Sequence, residues 1–382
     1  MSARSLEGRN VATGRDVRIL VEDGVIRRIE ESPAQADSWV APGFVDLQVN
    51  GYGGYDLNDG RVDADVVLAL TRRLGAAGTT TFLPTLITAG EDSIIAALRA
   101  IARARQIDPM AAHAIPFVHV EGPHIAPEDG SRGAHPREHV RPPDLAEFDR
   151  WQRASQNLVG MVTLSPHWEN AAEYIAALVS RGVLVSLGHT DAAPEQIRAA
   201  IDAGATLSTH LGNGVSAVLP RHPNLLWTQL GDDRLTATFI ADGHHLPPDT
   251  LRVMLRAKGI ERSVLVSDSV ALAGMAPGTY RSPIGGAVEL RADGRLCMAG
   301  SDFLAGAACS LADAVARLAG SSICTQQEAF RMATQNPGRF AGGRGVLRPG
   351  TSADLLRFSF DPHSCSLRMQ TVLAEGVECL PC

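Results

Sequence analysis

The sequence predicts an α/β protein, a (β/α)8 TIM-like barrel carrying a small β-sandwich domain formed by both chain termini. Three observations lead there. Through the middle of the chain, eight short apolar runs alternate with helix-length segments. Such alternation implies parallel pairing, and eight units suggest a closed ring. Both ends of the chain read instead as strands around tight turns. Polar residues with useful chemistry fall at the ends of the apolar runs, where barrels of this class carry their sites. An open, doubly wound sheet is the rival, but no Gly-rich dinucleotide or phosphate loop follows the early strands. The expected division is residues 1–42 plus 343–382 for the β domain and 43–342 for the barrel.

The elements follow in chain order. Residues 15–30 alternate apolar and polar around Asp23-Gly24, a strong short hairpin signal. Barrel strands are expected at 44–49, 79–84, 116–120, 160–165, 183–188, 206–210, 235–240 and 264–268. Helices are expected at 62–77, 91–106, 170–181, 194–203 and 248–258. Residues 353–360 and 371–380 again read as short strands, completing the terminal β domain.

Composition narrows the function classes. With 45% apolar and 20% charged residues in 382, the chain is able to bury a sizeable core. A net charge of −7 argues against nucleic acid or an anionic membrane surface as partner. No apolar run approaches the ~18 residues of a spanning helix, and the first residues have no signal-peptide stretch. A cytoplasmic protein is therefore expected. All six cysteines follow residue 296, a distribution against a disulfide framework. Cys379 and Cys382 form a lone C-x-x-C, weak evidence for zinc and read as incidental thiols.

The run ends carry the chemistry. Gln48 and Asn50 close the first strand, Glu121 follows the third, His167 follows the fourth, and His189 and His210 close the fifth and sixth. Asp242, His244 and His245 follow the seventh, and Asp268 closes the eighth. Each alone is readily a capping histidine or a solvated turn carboxylate. Together at one barrel mouth they need a common explanation, because polar groups ending apolar runs are costly to bury unless paired or metal-bound. Glu121, His189 and His210 supply one carboxylate and two imidazoles, a common set for a catalytic zinc with a position left open for water. Asp268 is then the natural proton carrier.

The motifs are also specific as a set. They include Ala41-Pro-Gly-Phe-Val-Asp-Leu-Gln-Val-Asn50-Gly-Tyr-Gly-Gly54, His119-Val-Glu121-Gly-Pro123, Gly188-His189-Thr190 and Thr209-His210-Leu-Gly-Asn213. Ile240-Ala-Asp-Gly-His-His245, Val266-Ser-Asp268, Ala299-Gly-Ser301 and a Gly345–Asp354 segment continue the pattern. Nearly end to end, the chain resembles the amidohydrolase superfamily and, within it, the N-acetylglucosamine-6-phosphate deacetylases.

That resemblance implies an enzyme hydrolysing the N-acetyl amide of a phosphorylated amino sugar in amino-sugar catabolism, as a homodimer or higher homo-oligomer. It implies Glu121, His189 and His210 as metal ligands and Asp268 as acid/base. His135 would contact the sugar and the amide carbonyl, and His245, rather than His244, the substrate. Asn213 and the backbone of Gly214 would form part of a phosphate site. Arg221, eight residues after Asn213, would reach the phosphate of a neighbouring subunit. Gln48 and Asn50 stand where many relatives have His-x-His, and amides are poor ligands compared with imidazole. One divalent ion is therefore expected, zinc first, with Fe2+ or another divalent ion as alternatives.

The departures from the family pattern are Gly214 for Ala, Arg221-His-Pro-Asn224 for Arg-Glu-Pro-Gly, Ser267-Asp268-Ser269 for Thr-Asp-Ala, and Asp302-Phe303 after Ala299-Gly-Ser301. They leave ligands and base untouched and bear on the exact sugar and, to a lesser degree, on the phosphate requirement. The alternative substrates are a related sugar such as N-acetylgalactosamine 6-phosphate or another N-acyl compound. A non-catalytic barrel used for assembly predicts loss of ligands or base, and all four residues are present.

Overall fold

The computed structural model describes residues 4–33, 35–282 and 286–379, so Cys382 of the C-terminal pair lies outside the described residues. Eight parallel strands form the barrel: Phe44–Val49, Thr79–Ile87, Val118–Glu121, Val159–Leu164, Leu184–Leu187, Leu207–Ser208, Thr236–Ile240 and Ser263–Val266. They are referred to here as the first to eighth strands. Neighbours in sequence are neighbours in the sheet. The ring closes between the eighth and first strands through Asp268 N to Gln48 O at 3.0 Å and Asn50 N to Ser269 O at 2.9 Å.

Every residue of the first strand is buried, because one face meets the barrel interior and the other the helices. Val45, Leu47, Leu83, Met161, Leu207, Ile240, Val264 and Val266 fill the interior as one cluster. A polar layer within the same strands links His119 Nε2 to Thr163 Oγ1 at 2.7 Å, Thr163 to Thr209 at 2.7 Å and Thr209 to Ser186 at 2.6 Å. Outside, helices with one apolar stripe cover the strands. Ala64–Ala76 starts at Asp63, whose carboxylate accepts from Val66 N, and its buried residues include Val67, Leu70 and Leu74.

All five expected helices are present. So are Pro109–Ala114, Leu145–Ser155 and Leu225–Gly231, and beyond the eighth strand Leu311–Ala319 and Gln326–Ala333, each of these last two opening with a capping box. A three-stranded antiparallel sheet, Gly278–Ser282, Gly286–Leu290 and Leu296–Met298, is inserted after the eighth strand.

The terminal segments build one seven-stranded sheet from Arg4–Asn10, Asp16–Glu22, Val25–Glu31, Trp39–Pro42, Leu355–Asp361, Ser366–Ala374 and Val377–Glu378. Asp23 and Gly24 make the expected turn with φ of 50° and 76°. The sheet curls back on itself: Val25 bridges Ser352, and Ile26 N donates to Thr351 O at 2.9 Å. The two layers of the expected sandwich are thus continuous, closed over Ile19, Ile26, Val40 and Leu355. Among the described residues, no helix is long and apolar enough to cross a membrane.

Candidate active site

Glu121 ends the third strand, and His189 and His210 stand just past the fifth and sixth. His189 Nε2 lies 3.3 Å and His210 Nε2 3.0 Å from Glu121 Oε1, and one ligand atom from each residue falls within 4.8 Å of the others. All three residues are buried. His189 Nδ1 sits 2.9 Å from the Ser131 carbonyl oxygen, which fixes the ring with Nδ1–H as donor and frees Nε2 as a ligand atom. One carboxylate and two imidazoles, buried and mutually within a cation's reach, fit a divalent ion.

The backbone is strained where these side chains leave it. His189, His210 and Asp268 have φ of 48°, 26° and 48°, a left-handed region uncommon for residues other than glycine. Such conformations persist only where packing over-determines them, and they cluster at functional sites. Asp268 carries Oδ1 to Asn50 Nδ2 at 2.7 Å.

Electrostatics follow from burial and pairing. Burial alone would raise the Glu121 pKa, but hydrogen bonds from His189 and His210 reverse this and hold it well below the usual carboxylate range. Burial would likewise lower His210, yet its bond to Glu121 pushes it up to about 9. Asp268 is pushed up to about 6 by burial and then by the Glu121 charge. Burial, with His189 beside it, lowers His135 to about 3, so that ring is neutral.

Of the residues expected from the sequence, Asn50, Glu121, His135, His189, His210, Asn213, Gly214, His245 and Asp268 line one cavity of about 310 Å³. His135 Nδ1 is 2.8 Å from Thr88 Oγ1, leaving Nε2 for a ligand. His245 Nδ1 is held 2.6 Å from Asp242 Oδ2, so Asp242 orients the ring rather than facing the cavity itself. A Cβ on Gly214, at φ 59°, would lie 2.6 Å from His189 Nδ1.

Other expected residues stand elsewhere. Gln48 is buried beside the cavity without lining it, and its backbone oxygen carries the barrel seam. His167 turns to Ser165 Oγ at 2.6 Å and packs on Trp168, and His244 turns to the Asp293 carbonyl at 3.2 Å. Arg221 is exposed and does not line the cavity of its own chain. The wall positions that were not foreseen include Asp56, Asn58 and the stretch Leu304–Gly306. The only sequence signal for the first two was their closeness to the Gly51-Tyr-Gly-Gly54 turn.

Comparison with known proteins fits this geometry. The Amidohydrolase family profile matches residues 39–378. The chain belongs to the amidohydrolase family. Among amidohydrolase relatives, N-acetylgalactosamine-6-phosphate deacetylase of Escherichia coli O157:H7 is 34% identical, over 94% of this chain and 95% of its own. N-acetylglucosamine-6-phosphate deacetylase of Bacillus subtilis is 30% identical, over 87% of this chain and 83% of its own. A solved structure of a mutant N-acetyl-D-glucosamine-6-phosphate deacetylase from Mycobacterium smegmatis, in complex with N-acetyl-D-glucosamine-6-phosphate, superposes with a TM-score of 0.87. It is 30% identical, and all of both chains is covered.

Proposed function

We propose that this amidohydrolase removes the acetyl group of N-acetylglucosamine 6-phosphate, giving acetate and glucosamine 6-phosphate in amino-sugar catabolism. One observation carries the reading: the buried Glu121–His189–His210 cluster shares a single sugar-sized cavity with Asp268, His135, His245, Asn213 and Gly214.

A divalent ion held by Glu121, His189 and His210, zinc in this reading, would polarise the amide carbonyl and acidify water. Asp268 takes the proton of the attacking water, and the water oxygen bonds to the acetyl carbon. When the carbon–nitrogen bond breaks, Asp268 returns that proton to the departing nitrogen, and acetate and the amine leave. One carboxylate serves as base first and acid second. Asn50 holds it in place through the 2.7 Å hydrogen bond. Neutral His135, with Thr88 on Nδ1, donates from Nε2 to the carbonyl oxygen as negative charge develops there. His245, fixed by Asp242 at Nδ1, accepts a sugar hydroxyl at Nε2.

Asn213 and the backbone of Gly214 receive the phosphate. Arg221 completes that site on a neighbouring subunit, in a homodimer or higher homo-oligomer. Exposure of Arg221 together with Val218 (83%) and Trp227 (51%) on the same excursion from the barrel supports this. A phosphorylated sugar does not cross a bilayer unaided, so the reading places the chain in the cytoplasm. Release of acetate from a panel of acylated sugars, with and without the 6-phosphate, tests the function.

A further inference from the structure

Asp56 faces the cavity without a part in the chemistry described above. It lies on the two-residue strand Tyr55–Asp56, which pairs with Gly51–Tyr52 just beyond the first barrel strand. Its Oδ1 accepts from Asn58 N at 2.7 Å. Asn58 is itself tied to the second strand, donating from Nδ2 to Thr85 O at 3.0 Å and accepting from Ile87 N at 2.9 Å. One carboxylate oxygen is therefore fixed on a braced hairpin and the other is left for a ligand. Among the described residues, Asp56 has no cationic partner, and no lysine or arginine lines the cavity. A half-buried carboxylate in such a place needs hydrogen-bond donors, and sugar hydroxyls supply them.

Ring order sets which hydroxyls these are. In a closed ring of eight strands, the first two stand opposite the fifth and sixth. Asp56 and Asn58 therefore face Asn213 and Gly214, which follow the sixth strand, across the mouth. A carboxylate on that wall repels phosphate and favours the opposite end of the sugar. In a pyranose the carbon opposite C5, which bears the phosphate arm, is C2 with its acetamido group, flanked by the C1 and C3 hydroxyls.

Resting on the deacetylase reading, we propose that Asp56 is a specificity-determining residue that accepts a hydrogen bond from a hydroxyl flanking the acetamido carbon. It thereby enforces the orientation that puts phosphate toward Asn213. Burial pushes its pKa up to about 6, which still leaves the acceptor-only carboxylate dominant at neutral pH.

The test compares kcat/KM of wild type, Asp56→Asn and Asp56→Ala on N-acetylglucosamine 6-phosphate and its 1-deoxy, 3-deoxy and 4-deoxy analogues. Asp56→Asn keeps an oxygen for Asn58 N, so the hairpin is preserved, and unchanged metal content in each variant checks the fold. Wild type should discriminate against the 1-deoxy or the 3-deoxy analogue by roughly tenfold or more, and both variants should discriminate by less than about twofold at that position. Discrimination against the 4-deoxy analogue should not change. Equal loss on every substrate, with the ratios intact, is what a purely structural role gives and would overturn the proposal, as would a change confined to the 4-deoxy ratio. Wild-type turnover of the parent sugar is the internal check. Without it the deacetylase reading falls and this assignment with it; with it, the ratios decide Asp56 alone.

Discussion

Asn50 Nδ2 donates a 2.7 Å hydrogen bond to Asp268 Oδ1 across the seam where the first and eighth strands close the barrel. The contact ties the residue proposed to move the proton to the strand end where a histidine could have bound a second metal. Its Nδ2 is engaged there and Gln48 stays outside the cavity wall, so the first strand presents no imidazole to a second ion.

The Asp268→Asn variant should therefore keep its metal and lose nearly all turnover. The amide oxygen is still able to accept from Asn50, so the seam survives, while the proton carrier is gone, a loss of ~10²–10⁴-fold in kcat. Elemental analysis after dialysis should find close to one ion per chain in wild type and in this variant, and much less in His189→Ala. Two ions per chain, or a variant with more than about a tenth of wild-type activity, would move the base or the metal count elsewhere.

Although Ala is the residue of the family pattern at this position, the loop conformation of this chain means that Gly214→Ala should disturb the metal ligand rather than the phosphate. Its Cβ would sit 2.6 Å from His189 Nδ1, at a φ of 59° that is unfavourable for alanine. The ring would have to shift from Ser131 O. We expect metal affinity to fall roughly 10–100-fold, as when a ligand's supporting contact is lost. Titration with a competing chelator measures it, and wild-type affinity would mean that the loop yields instead.

Arg221→Ala should weaken phosphorylated substrate by about 1.5–3 kcal/mol, one to two decades in kcat/KM, and leave free sugar little changed. Because Arg221 does not line its own chain's cavity, mixed oligomers of Arg221→Ala and Asp268→Asn chains should recover some activity. Equal loss on phosphorylated and free sugars rejects the phosphate role. No recovery, with subunit exchange verified, rejects the crossing.

Acid should destabilise the fold through buried neutral histidines. His124 stacks on Trp151 and meets Tyr174 edge-on, and burial lowers its pKa to about 4; burial lowers His119 to about 4 as well. Unfolded histidine titrates near 6.5. Between those values the unfolded chain binds more protons than the folded one, so stability falls as pH drops from about 6.5 to about 4, by roughly 1–3 kcal/mol per residue. Denaturant unfolding at pH 7, 6 and 5 measures the slope. His124→Phe, which keeps a ring in place, should flatten it by up to one proton, and an unchanged slope would assign the effect to other groups.

The eight strands could be read because parallel strands buried on both faces appear as continuous apolar runs, as Phe44–Val49 does. Glu121, His189, His210 and Asp268 could be read because polar residues at such ends stand out. Where a loop side chain turns could not, which is why His167 and His244 resemble Glu121 in sequence yet pair with Ser165 and Asp293. Asp56 and Asn58 follow a glycine-rich turn, where acidic and amide residues are common for backbone reasons alone. Their position became visible only with the ties to Thr85 and Ile87.

The most direct measurement is acetate release by the purified, metal-loaded chain from N-acetylglucosamine 6-phosphate, its C4 epimer and both unphosphorylated sugars. The account predicts acetate and glucosamine 6-phosphate in equal amounts, a clear preference for the phosphorylated sugar, and loss of turnover on chelation with recovery on adding one equivalent of zinc. No acetate from any phosphorylated amino sugar, or turnover undiminished after the metal is removed, would contradict it.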